Sequence, residues 1–133
     1  MAIGSITWRP VTIANGEALS GALETIGKRM VAIYQAASTE GTAWGLQASH
    51  DGGTTYTALS VMIQEATGAA PVTAAWEVAK SATAAQIIFL PEAMRVYGPT
   101  HLKLQSQDGA GAATNQTGAQ TVWVGLEDLP NPM

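Results

Sequence analysis

Ala43-Trp44-Gly45-Leu46-Gln47-Ala48-Ser49-His50-Asp51-Gly52-Gly53-Thr54-Thr55-Tyr56-Thr57-Ala58-Leu59 is the stretch on which the fold turns. In an extended chain Trp44, Leu46 and Ala48 fall on one face, and Gly45, Gln47 and Ser49 on the other. That is the alternation of a half-buried strand. Asp51-Gly52-Gly53 follows, a turn tripeptide whose glycines reach positive φ at little steric cost. Residues 54–59 resume with β-branched and aromatic side chains, so the two segments predict a hairpin.

The same grammar runs outward in both directions. Residues 5–13 predict a strand, with Pro10 favouring an edge position. Asn15-Gly16 is a turn. Residues 18–26 suit either an extended chain or a helix face through Leu19, Leu23 and Ile26. Residues 28–37 hold Met30, Val31, Ala32, Ile33 and Tyr34, apolar on both faces, and predict a central strand. Residues 60–65, 73–79 and 85–90 are three further strand candidates. Residues 101–106 alternate cleanly, with Leu102 and Leu104 inward and Lys103 and Gln105 outward. Residues 109–118 form a loop of small side chains. Residues 121–126 make the last strand, with Val122, Val124 and Leu126 on one face and Trp123 on the other. Pro91-Glu92-Ala93-Met94-Arg95-Val96-Tyr97-Gly98 breaks the rhythm. Pro at a first helical position, an early Glu and a closing Gly predict a short helical turn. Alanine is abundant, but Gly and Pro interrupt every window long enough for a stable helix. Small Ala and Thr side chains on outward strand faces would make a flat, weakly charged surface. About eight short strands with one short helical crossover predict an antiparallel all-β sandwich or barrel. It reads as one domain over residues 1–133, with residues 1–16 as an N-terminal arm or edge strand that could contact a partner subunit.

Composition narrows the function classes. The chain has 133 residues, 47% hydrophobic and 12% charged, against ~25% charged in an average globular domain. Its formal net charge is −4, and six Lys and Arg are scattered along it. They cannot make the basic stripe that phosphate binding needs, so no nucleic-acid partner is expected. There is no cysteine, which excludes disulfides and thiolate metal sites. The first residues lack the basic and apolar regions of a secretory signal. No apolar run approaches the ~20 residues that cross a bilayer as a helix. A soluble chain made in a cytoplasm, with no membrane partner, is the expectation.

The catalytic patterns are missing. His50 and His101 have no second His at metal-ligand spacing, and both sit at strand ends, where a partly exposed histidine is the ordinary case. No G-x-S-x-G elbow, P-loop or dinucleotide fingerprint occurs. The carboxylates fall at turns and strand ends, and Asp51-Gly52 and Asp108-Gly109 lack calcium-loop spacing. Glu127-Asp128 is the pair of neighbouring carboxylates that could touch a cation. The expectation is no enzyme: no catalytic residue, metal, cofactor or small-molecule substrate. The aromatic side chains say more. Trp44 and Trp76 lie on apolar strand faces and read as core. Trp8 and Trp123 sit on the opposite parity from better inward candidates, so they face out as protein anchors or a sugar platform. With Ile3 and Ile6 of the apolar N-terminal arm they form the set of protein-interaction candidates. The arm would either add a strand to a partner's sheet or serve as an edge strand of its own domain.

The order of features is a familiar one. An apolar strand through Met30 to Tyr34 leads to a Trp-bearing strand and Ser49-His50-Asp51-Gly52-Gly53-Thr54-Thr55-Tyr56. Then come Ala84-Ala85-Gln86-Ile87-Ile88-Phe89-Leu90-Pro91, a short crossover with Tyr97, the Leu102-Lys103-Leu104-Gln105-Ser106 strand and a final apolar strand. This order resembles the jelly-roll cement, or decoration, proteins on the outside of tailed-bacteriophage capsids. The resemblance spans roughly residues 18–126. It implies a jelly-roll sandwich and a virion structural role on the capsid exterior, after synthesis in the host cytoplasm. It implies self-association as a dimer or trimer and a major capsid protein as partner, whose shell the subunit would bind and reinforce. It assigns no catalytic residue. A head–tail connector, a tail component, or a carbohydrate-binding sandwich using Trp8 or Trp123 are the other readings.

Overall fold

Side-chain alternation sorts the chain into two layers. The computed structural model describes residues 5–63, 67–68 and 70–129. Among them are twelve strands and a single turn of 3-10 helix. β1 (Ile6–Ile13), β3 (Lys28–Gln35), β9 (Gln86–Phe89), β10 (Val96–Tyr97) and β12 (Gln120–Asp128) form the first sheet. Its order is β1-β12-β3, with β9 and β10 end to end along the far edge of β3. β2 (Leu23–Glu24), β4 (Ala43–Ser49), β5 (Thr57–Ala58), β8 (Glu77–Ala79) and β11 (His101–Gln107) form the second. Its order is β2-β11-β4, with β5 and β8 on the far edge of β4. β6 (Ser60–Ile63) and β7 (Val72–Ala75) make a separate two-stranded hairpin. Every pairing is antiparallel. The molecule is an all-β antiparallel sandwich.

The core lies between the sheets. Val11, Ile13, Met30, Ile33, Val122, Val124 and Leu126 of the first sheet meet Leu23, Trp44, Leu46, Leu102 and Leu104 of the second in one buried cluster. Trp44 and Trp76 are both in it, as their strand parity predicts. Two tryptophans carry polar handles, and each is satisfied. Trp44 Nε1 donates to Gln35 Oε1 at 2.8 Å, and Trp76 Nε1 donates to the Met94 carbonyl at 2.9 Å. Gln35 is itself fully buried and donates through Nε2 to the carbonyls of Ser81 and Ala84 at 2.8 and 3.0 Å. A buried amide is tolerated because all its partners are met.

The predicted strands hold in the main, with informative differences. Residues 18–26 are extended rather than helical. The Ser20 N–H donates to the Leu104 carbonyl and the Gly21 N–H to the Thr12 carbonyl, so this stretch is the corner carrying the chain from one sheet to the other. The strand predicted over 73–79 divides at Trp76, because the indole must turn into the core while its neighbours pair with different strands. The helical turn is shorter than its punctuation suggests. It spans Glu92–Met94, preceded by Pro91 in an extended conformation. Val96 then pairs with Met30 and buries its side chain, a tertiary contact that outweighs continuation of the helix.

The hairpin after β4 is wider than a two-residue turn and is built by Asp51. Its Oδ1 accepts from Ser49 Oγ at 2.7 Å and from the N–H groups of Thr54 and Thr55 at 3.2 and 2.9 Å. Gly52 and Gly53 take the left-handed conformation at φ 81° and 92° that the reversal needs. Strand pairing resumes at Ala48↔Thr57.

Pro10 occupies an edge, and the geometry says why. β1 pairs with β12 on one side. The Thr12 carbonyl points the other way, to Gly21, and Pro10 shares its parity. The nitrogen without a proton therefore faces the open edge, where no ladder bond is lost.

Candidate functional site: an aromatic face on the first sheet

In a two-layer sandwich one face of each sheet meets the core and the other meets the surroundings. The second sheet turns His101, Lys103, Gln105 and Gln47 outward, a polar face of the usual kind. The first sheet does not. Its register places Trp123 opposite Tyr34, Tyr34 opposite Ile87, and Ala32 opposite both Gly125 and Phe89. Trp8 lies across from Gly125. All of these are on the side away from the core, because their strand neighbours Ile33, Val122, Val124 and Leu126 are buried inward. Trp8, Tyr34, Ile87 and Trp123 line a shallow groove of about 450 Å³. Phe89, one step along β9 from Ile87 on the same face, stands beside it.

Gly125 fixes the groove's floor. A Cβ built there would sit 3.0 Å from both Ala32 Cβ and Ile6 Cγ2, and 3.2 Å from Trp8 Cζ3. The missing side chain lets Trp8 and Ile6 lie down over β12. At one end of the face Arg29 and Glu127 pair with each other, as do Lys28 and Asp128 beside them. The two carboxylates that could have touched a cation are thus held by their own cross-strand bases.

Of the four interaction candidates, the structure brings Trp8 and Trp123 into one groove and sets Ile6 against its floor. Ile3 lies outside the described residues. The strand that follows it, β1, is an edge strand of its own sheet. The outward surface expected to carry small Ala and Thr side chains is instead aromatic and aliphatic on this sheet. Sequence reading missed Tyr34, Ile87 and Phe89. The signal was the apolarity of residues 30–34 on both faces, since only one face could be core.

No family model, curated protein or solved structure matches the chain.

The remaining candidates for chemistry stay apart. His50 is exposed on the β4–β5 loop, and His101 Nδ1 contacts Thr100 Oγ1 at 3.1 Å. Among the described residues no three His, Asp or Glu side chains gather as a metal site. Asp51 is held well below the usual carboxylate range, first by the Thr55 N–H and then by the Ser49 hydroxyl. Its lone pairs are committed to the loop. Lys80 is buried and hydrogen-bonded to Thr39 Oγ1 at 2.7 Å and to the Gly41 carbonyl at 2.8 Å. Its ammonium lies 4.8 Å from the centroid of the Trp44 ring. Desolvation pulls its pKa down to about 8, against the opposing pull of Glu40.

Proposed function

We propose that this chain is a structural subunit of a virion, a capsid cement or decoration protein that works by packing against neighbouring proteins. The observation that carries the reading is the contiguous, nearly chargeless aromatic face of the first sheet. Single exposed apolar residues are ordinary, but a contiguous patch of this kind marks a surface made to be covered by protein. Three further features support it. The strand order, β1-β12-β3-β9/β10 against β2-β11-β4-β5/β8, reads as two four-stranded halves with each outer strand interrupted, which supports the jelly roll that the resemblance implies. The low charge and the sequence resemblance agree with a role in a crowded shell.

A carbohydrate-binding module is the second reading, because three aromatic rings line one groove. Sugar sites combine such platforms with several polar groups aimed at the hydroxyls. Here the lining side chains offer only two indole N–H groups and one phenol. The balance favours a protein partner.

The test is co-sedimentation with purified capsid shells that lack the subunit, together with its copy number in intact particles. Saturable binding at a number commensurate with the shell's capsid subunits is the expected result. A single ring's worth of copies would move the assignment to a connector or tail component. Saturable glycan binding lost in Trp123→Ala would move it to the carbohydrate reading.

A further inference from the structure

We infer that the aromatic face of the first sheet is the contact between two copies of this chain, related by a two-fold axis. The inference rests on the reading of the chain as an assembly subunit and names the partner of that face. Three properties of the face point to a second copy. The first is charge. Arg29 and Glu127 neutralise each other at its end, so the face offers no net charge to select an oppositely charged stranger or to repel its own image. The second is shape. A two-fold contact requires one patch to hold both a feature and its complement. Here a recess between Trp8, Tyr34, Ile87 and Trp123 lies beside a projecting ring, Phe89. Two residues along a strand separate Phe89 from Ile87, roughly 7 Å. A two-fold that seats each Phe89 in its partner's recess meets that requirement.

The third is area. Tyr34, Ile87, Phe89, Tyr97 and Trp123 are 42%, 55%, 63%, 66% and 40% exposed. With aromatic side chains contributing 150–250 Å² each, the face offers roughly 500–600 Å² of apolar surface per copy. Pairing would bury about 1,000–1,200 Å² in all, the lower bound for a specific dimer. Micromolar affinity is therefore expected rather than an obligate pair. The second sheet's outer face, with Lys103, His101 and two glutamines, has no comparable surface.

Sedimentation velocity of the purified full chain, without shells, tests this across a concentration series. The expected species is twice the 13.7 kDa chain mass at tens of micromolar, dissociating on dilution. Phe89→Asp and Ile87→Asp should each weaken association by at least about a hundred-fold. Both positions face outward, and circular dichroism checks that each variant keeps its β signal. Tryptophan emission adds a readout in the unmodified chain. Trp8 and Trp123 should shift to the blue on association, while buried Trp44 and Trp76 stay constant. Met62→Asp, on the β6–β7 hairpin, should leave the dimer intact. A monomer at every concentration, a trimer, or a dimer indifferent to both Phe89→Asp and Ile87→Asp overturns the inference. So does a dimer lost equally in Met62→Asp. A monomer that still decorates shells would sink this inference and leave the proposed function standing. A dimer that ignores shells would do the reverse.

Discussion

Gly125 shows how one absent side chain shapes a surface. Its Cα lies under Ile6, Trp8 and Ala32, with contacts near 3.0 Å awaiting any Cβ. Gly125→Ala gains ~0.5–1 kcal/mol from reduced freedom in the unfolded chain. Overpacking costs ~1–3 kcal/mol, so a net loss of about 1 kcal/mol is expected in urea unfolding. Gly125→Val should lose more and lift Trp8 off the strand, visible as a red shift in its emission. Lys80 makes the opposite case, a charge where none is needed for packing. Burial lowers its pKa from 10.5 to about 8. Between those values the unfolded chain holds a proton that the folded chain has released, so stability rises as pH climbs from about 8 to 10.5. The size of that rise is on the order of 1–3 kcal/mol. Lys80→Met keeps the stem over Trp44 and removes the charge. It should match or exceed the parent at pH 7 and lose the alkaline rise, measured by denaturant midpoints across that range.

Elements are joined by buried polar groups as much as by apolar ones. Gln35 ties β3 to the 81–84 loop and, through Trp44, to β4 of the other sheet. Gln35→Leu would strand the Trp44 indole N–H in the core and release the Ser81 and Ala84 carbonyls of the loop, so a loss of about 1–3 kcal/mol is expected in thermal unfolding. Asp51 does the equivalent for the β4–β5 loop. Its carboxyl pKa is depressed by the loop's donors, so its contribution is present above the ordinary value of 3.8 and fades as pH falls further. Asp51→Ala should lower Tm at pH 7, and the gap to the parent should close in strong acid. The strands themselves were legible where core-type side chains recur on one parity only, as over residues 43–50, 101–106 and 121–126. They were less legible where both faces are apolar. In Gln86-Ile87-Ile88-Phe89 either parity could have been inward, and only the pairing of Ile88 with Ile33 settles that Ile87 and Phe89 look out. Two residues of the candidate site, Trp8 and Trp123, were readable because their strands had better core residues on the other parity. Tyr34, Ile87 and Phe89 were not, because period two gives a strand two faces and does not say which one is covered. The short strands β2 and β10 carry no sequence pattern of their own, since two residues of pairing are set by what the rest of the sheet leaves open.

At the scale of the whole molecule, the two sheets differ in what their outer faces ask of the surroundings. One is polar and finished. The other exposes several large apolar side chains, a cost in water that a lone subunit has no means of recovering. Coverage by a second copy links folding to association: a ligand that binds only the folded state raises its stability by mass action, and here the ligand is the protein itself. The proposed pair therefore has a thermodynamic signature that needs no knowledge of its geometry. Across a hundred-fold rise in concentration, mass action adds about 2.7 kcal/mol per dimer, half of that to each chain. For a domain of this size that is a shift of a few degrees in Tm. Scanning calorimetry should find Tm climbing with concentration in the parent and flat in Phe89→Asp. Phe89→Asp should also match or exceed the parent's Tm at the lowest concentration, where the parent is monomeric and still exposes the ring. A concentration-independent Tm in the parent would mean that the face stays open in solution. A Phe89→Asp variant less stable than the parent at high dilution would mean that the ring serves its own sheet rather than a neighbour.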